Sequence, residues 1–209
     1  TNTKWIPTVR SYVFNPVANT WTRIRDMPYN GVTHGATATD GQYIYIAGGY
    51  PPNGSGTAQL FATNRVIRYD PQTDTYSDMP NLPGSRGAGI MVYAPQQHAL
   101  HFIGGTDINR AERTEHWKLD LNNTAAGWVT RAALPAARNH AGGIYYNGNI
   151  YYIGGQVGQD GPAVPHDDMQ IYNIANNSWS VGADLPNLPR HHITLSNIVI
   201  DNKIVIIGG

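Results

Sequence analysis

The chain contains no cysteine among its 209 residues. Disulfides, thiolate metal sites and cysteine nucleophiles are therefore excluded together. Charge is scarce as well: 13% of residues are charged, the net charge is zero, and neither sign forms a run. A nucleic-acid partner calls for a basic stripe, so that class is set aside. No apolar run reaches membrane-spanning length and no signal peptide is visible, so no membrane insertion is expected. The phosphate-cradling G-x-x-x-x-G-K-[ST], the zinc-binding H-E-x-x-H and the nucleophile elbow G-x-S-x-G are all missing. The first residues are Thr-Asn-Thr rather than Met, as in a processed product or a piece of something longer.

What is plentiful is turn-forming and aromatic. There are 23 Gly, 14 Pro, 13 Tyr and 5 Trp. Many turns and few charges point to an all-β protein of short strands. The length fits one large β domain or two small ones.

The strongest signal is internal repetition. Four apolar runs end in a glycine pair: IYIAGGY at Ile44, LHFIGGT at Leu100, IYYIGGQ at Ile150 and IVIIGG at Ile204. The second glycines, Gly49, Gly105, Gly155 and Gly209, are 56, 50 and 54 residues apart. An aromatic follows a turn at Trp21, Tyr76, Trp128 and Trp179, and a Met-Pro or Leu-Pro marker ends at Pro28, Pro83, Pro135 and Pro186. Three markers in one order at one period define a repeating unit.

Each unit reads as four strands, A to D. In the third, A covers about His140 to Tyr146, B Asn149 to Ile153, C Met169 to Asn173, and D starts near Trp179. Asn147-Gly148 between A and B is a strong hairpin signal; Asp40-Gly41 and Asp201-Asn202 stand in its place in other units. Strands A and B are apolar almost throughout, as in strands covered on both faces. The glycine pair lets strand B end where a neighbouring chain passes too close for a Cβ.

A four-stranded unit of about 50 residues resembles the kelch repeat, one blade of a β-propeller. The four glycine pairs, Tyr69-Asp70-Pro71 with Tyr76, and the Trp and Leu-Pro markers carry the resemblance across almost the whole chain. It is closest in pattern to galactose oxidase central domains and to kelch domains of secreted and cell-surface bacterial proteins, which implies a secreted or cell-surface location. The expected architecture is a kelch-type β-propeller of four-stranded antiparallel blades. It has a half-blade at 1–28, blades at about 29–83, 84–135 and 136–186, and a half-blade at 187–209. The halves either join into one blade, closing a ring of four, or belong to a larger ring whose remaining blades come from the same parent protein. The second is favoured, because family rings usually have six or seven blades and Ile204 to Ile207 would otherwise be an unpaired edge. Self-assembly between copies is a third arrangement.

Function is expected where the innermost strands begin, facing the central channel. The candidate ligand-binding residues are His34, Arg86, Arg138, Asn139, His140, Arg190 and His192, with His191 beside them. The resemblance implies that Arg here can bind acidic peptides, and Arg86, Arg138 and Arg190 match the motif. The first unit departs from it, with His34 read in place of Arg. Converging guanidinium groups suit a carboxylate or a sugar acid. The competing reading makes these arginines braces that hydrogen-bond loop carbonyls of neighbouring blades.

The B–C loops, Tyr50 to Asn64, Thr106 to Thr114 and Gln156 to Asp167, are the second location. Asp160, His166, Asp167 and Asp168 form an acidic group without calcium-loop spacing, so solvated carboxylates are expected and no metal. A galactose oxidase copper centre needs a Tyr–Cys crosslink that this chain cannot form. His191 and His192 on a strand would point to opposite faces, and no cofactor is expected. Sequons at Asn53, Asn122 and Asn176 are at chance frequency. The chain reads as a non-catalytic binding or structural module for a protein or carbohydrate ligand on the channel-mouth and loop face. The alternative is a propeller enzyme acting on a sugar, as an isomerase or oxidase.

Overall fold

The structure, a computed structural model, describes residues 6–159, 161–186, 189–193 and 197–208. Gly209 of the last glycine pair, Asp160 of the acidic loop and the expected strand start at 194–196 lie outside these residues. Among the described residues the regular elements are strands, apart from two short 3-10 turns. A leading pair, β1 (Ser11–Asn15) and β2 (Thr20–Ile24), comes first. Three blades follow: β3 (Ala36–Thr39) to β6 (Thr75–Met79) through β4 (Ile44–Ala47) and β5 (Val66–Asp70); then β7 (Ile90–Ala94), β8 (Ala99–Ile103), β9 (His116–Asp120) and β10 (Trp128–Thr130). The third comprises β11 (Gly142–Tyr146), β12 (Asn149–Ile153), β15 (Met169–Asn173) and β16 (Ser178–Val181). Its B–C loop carries a small hairpin of β13 (Gln156–Val157) and β14 (Val164–Pro165). A trailing pair, β17 (Asn197–Ile200) and β18 (Lys203–Ile206), ends the chain. Every blade is a four-stranded antiparallel meander.

The apolar strands are explained by cores that lie between blades. In β7, Met91 packs with Tyr45, Val66, Phe102 and Trp117 towards the first blade. Its neighbours Ile90, Val92 and Ala94 pack with Ile150, Tyr152 and Tyr172 towards the third. Successive residues thus face different blades, so neither face can be polar. The innermost strands β3, β7, β11 and β17 stand side by side around the channel.

The repeat markers each make a defined contact. Leu82, Leu134 and Leu185 donate their backbone N–H groups to Asn64 O, Thr114 O and Asp167 O, pinning the link after strand D to the residues ahead of strand C. The indole N–H groups of Trp128 and Trp179 reach back to Pro80 O and Ala132 O of the preceding blade, each at 2.8 Å. The two half-blades do not join: β1–β2 and β17–β18 are separate two-stranded sheets. Each packs on its own neighbour, the leading half through Arg25, whose N–H meets Asp74 Oδ1 at 2.8 Å.

Candidate functional site

One repeated junction builds the channel mouth. The second glycine of each of the first three pairs donates its N–H to an arginine carbonyl of the next blade: Gly49 to Arg86 at 2.7 Å, Gly105 to Arg138 at 2.9 Å and Gly155 to Arg190 at 2.8 Å. All three glycines have positive φ, and a Cβ on Gly105 would lie 2.5 Å from Gly87 O. The residues just beyond pair within each blade, closing the start of strand A against the end of strand B: Thr33 with Tyr50, Gly87 with Thr106, Asn139 with Gln156.

The arginine side chains turn into their own blades. The Arg138 guanidinium, 2% exposed as a residue, reaches Gly154 O at 3.2 Å and Asp168 Oδ2 at 2.5 Å. It so ties the start of strand A to the end of B and the start of C. Arg86 is buried, lies 3.0 Å from Glu115 and covers the Trp117 ring at 4.8 Å. Burial opposes ionisation of Glu115, but its hydrogen bond from Arg113 and the charges of Arg86 and Arg113 bring its pKa down to about 2. Arg190 is half-buried and donates to Gly208 O at 3.0 Å. Side chains brace within a blade, and backbone carbonyls join one blade to the next.

His34 does not stand in the arginine position. It shares a left-handed backbone with Ala88, His140 and His192 (φ 54°, 54°, 52° and 60°), each two residues after the arginine position. That position holds Val32 in the first blade, and Arg65 occupies the place of Glu115 and Asp168. The pair is exchanged as a unit, and Arg65 instead covers the Tyr29 ring at 3.6 Å.

The four left-handed residues are hydrogen-bonded in sequence around the channel. Ala88 N–H donates to His34 O, His140 N–H to Ala88 O and His192 N–H to His140 O, at 2.8 to 2.9 Å. His140 lies between the other two imidazoles, with centroids 5.2 Å from His34 and 4.2 Å from His192. Burial and then the neighbouring imidazoles hold His140 down to about 3; burial also lowers His34 and His192. No strand covers 191–193, and His191 Nδ1 meets His192 Nδ1, so these rings share a side rather than facing apart.

The B–C loops form the rest of this face and are tied to one another. Glu112 Oε1 accepts from Asn139 Nδ2 at 2.9 Å and from the Gly158 N–H at 2.8 Å, linking two loops and the mouth. The Tyr50 hydroxyl meets Thr106 Oγ1 at 2.5 Å, and Thr33 bonds Gln59 at 2.7 Å. Asp168 is taken by Arg138, with His166 3.5 Å away. Among the described residues no group of three His, Asp or Glu is placed to hold a metal ion. Glu112, Glu115 and Gln59 were not singled out from the sequence. Glu115 had a signal: it precedes strand C just as Asp168 does.

Comparison with known proteins agrees with this geometry. The KLHDC2/KLHL20/DRC7 Kelch-repeats domain matches residues 33–209. The chain is 28% identical over 210 residues to Kelch-like protein terF of Aspergillus terreus, covering 99% of this chain and 44% of that protein. It is 25% identical over 207 residues to human Kelch-like protein 23, covering 98% and 34%. The chain thus spans less than half the length of these relatives. The solved structure of YjhT superposes with a TM-score of 0.76 at 16% identity, covering 96% of this chain and 68% of that one, a likeness of fold. Kelch-repeat domains are generally protein-interaction modules. With its glycine-pair junctions, three four-stranded blades and this match over most of its length, the chain belongs to the kelch-repeat family.

Proposed function

We propose that the chain is a non-catalytic protein-interaction module whose binding face is formed by the channel mouth and the B–C loops. One observation carries this reading: on that face Glu112 joins adjacent loops and the mouth, so the loops form a continuous preorganised layer. Beside it lies a recess of about 520 Å³ lined by Tyr29, Pro51, Leu60, Phe61 and Arg65. Leu60 and Tyr29 are 43% and 44% exposed there, an apolar anchor point for a partner side chain.

Photo-crosslinking tests the face. A photoreactive residue at Leu60 is expected to capture discrete protein partners, and one at Asn122, in a C–D turn on the opposite face, is not. Equal capture from both positions would contradict the assignment. Turnover of a sugar that is lost in a folded His140→Asn variant would contradict the non-catalytic reading.

A further inference from the structure

Where the innermost strands begin, a cavity of about 440 Å³ is bounded by His34, Ala88, His140 and His192, with Thr37 and Met91 further down the channel. Ala88 holds the position that carries an imidazole in the neighbouring repeats, and its small side chain leaves space there. The tautomer of His140 follows from its neighbours. The Glu112 carboxylate accepts the Asn139 amide N–H, so the amide oxygen is what meets His140 Nδ1. An amide oxygen only accepts, so Nδ1 carries the hydrogen and Nε2 is a bare lone pair. That Nε2 is buried without a partner, as is Nδ1 of His34, and His140 is only 5% exposed.

We propose that this cavity is a proton-coupled site for a small carboxylate anion, held by the imidazoles of His34, His140 and His192, which take up a proton as the anion binds. The surroundings leave a protonated His140 in need of an anion. His140 faces His34, His191 and His192, which repel its protonated form. Tyr50 packs on His34, with ring centroids 4.8 Å apart. Glu112 is the carboxylate connected to the cluster, and it already accepts two N–H groups. Arg138 and Arg190 direct their guanidinium groups to Asp168 and Gly208 O. Among the described residues, a proton on His140 Nε2 therefore has no acceptor, and a bound carboxylate supplies both the acceptor and the counter-charge. Near neutral pH burial keeps the cluster uncharged, so the site fills as the medium becomes acid.

Isothermal titration with succinate as the probe, at pH 7.5, 6.5 and 5.5, tests this. Each pH is run in two buffers of different ionisation heat, with the fold followed by circular dichroism. Uptake of one proton per anion predicts an association constant that rises about tenfold per pH unit, with a heat that depends on the buffer. His140→Asn keeps a residue that tolerates positive φ. His192→Asn alters the exposed rim and leaves the buried core intact. Each is expected to weaken binding at pH 5.5 by about tenfold or more, the loss of one charge-assisted hydrogen bond. Binding independent of pH, binding unchanged in the His192→Asn protein, or no binding at pH 5.5 would each overturn the proposal.

Discussion

Arg138 joins three strand ends with one side chain, and its neighbours have adapted to it. Replacing it with alanine removes the bond to Gly154 O and leaves Asp168 without its cation. Asp168 is 27% exposed, so water recovers part of the loss. The expected cost is about 3 kcal/mol, the lower end for breaking a buried pair, read as a shift in urea midpoint with little change in slope. A second residue-scale prediction concerns His101 and His116, buried between the second and third blades. His116 Nδ1–H donates to Ala132 O, so its Nε2 accepts from His101 Nδ1–H at 2.8 Å. His101 Nε2 is then bare and lies 3.2 Å from Gln97 Oε1, a contact that becomes a hydrogen bond when the amide is turned over to present its N–H. Burial, chiefly, lowers these groups to about 2 and about 3. Unfolded histidine titrates near 6.5, so the unfolded chain gains protons that the folded chain refuses. Their stabilising contribution is complete above about pH 6.5 and is lost as pH falls towards these folded values. Each histidine is expected to cost about 2 kcal/mol by pH 5. Melting temperatures from pH 7.5 to 5 measure this, and a flat profile would contradict it. Neither pair was legible in sequence, because Asp168 and His116 meet their partners only through blade geometry. The exchange of Val32 and Arg65 also hid the true repeat position of His34.

At the scale of the element, positive φ alone does not explain the glycine pairs. Gly105 and Gly148 have φ of 82° and 80°, but a Cβ on Gly105 meets Gly87 O at 2.5 Å and one on Gly148 meets nothing nearer than 4.0 Å. Gly148→Ala is expected to cost about 1 kcal/mol, the left-handed penalty, and Gly105→Ala about 3 kcal/mol or more once the backbone shift is added. Thermal melts of the two variants separate them, and equal losses would contradict the close-approach account. Strands B, C and D of the third blade were legible almost to the residue, because Asn147-Gly148 and the Asn-rich C–D turn bound them. Strand A was expected from His140 and begins at Gly142, because the left-handed His140 bonds to the next blades instead of to strand B. Asp40-Gly41 marks a turn but not a two-residue hairpin. The Asp40 carboxylate accepts from the Gln42 and Tyr43 N–H groups and widens the loop.

At the scale of the whole molecule, the blades differ in what covers them. Trp179 is half-buried and bonded to the preceding blade, whereas its counterpart Trp21 is 69% exposed; Tyr172 is fully buried, whereas its counterpart Phe14 is 40% exposed. Trp179→Ala is therefore expected to cost about 3 kcal/mol and Trp21→Ala less than about 1 kcal/mol, checked by urea unfolding. The blade architecture followed from the repeat, but the order in which blades lock together around the channel did not, since it depends on backbone groups that carry no sequence signal. That locking is the central claim, because it is what makes the mouth and loops a single rigid face. Native-state amide hydrogen exchange by NMR tests it directly. The N–H groups of Ala88, His140, His192, Gly105 and Gly155 each bridge two blades. They are expected to exchange as slowly as the amides of β8 and β12. Exchange at the rate of exposed loops would mean that the blades are not joined at the channel, and would contradict the account.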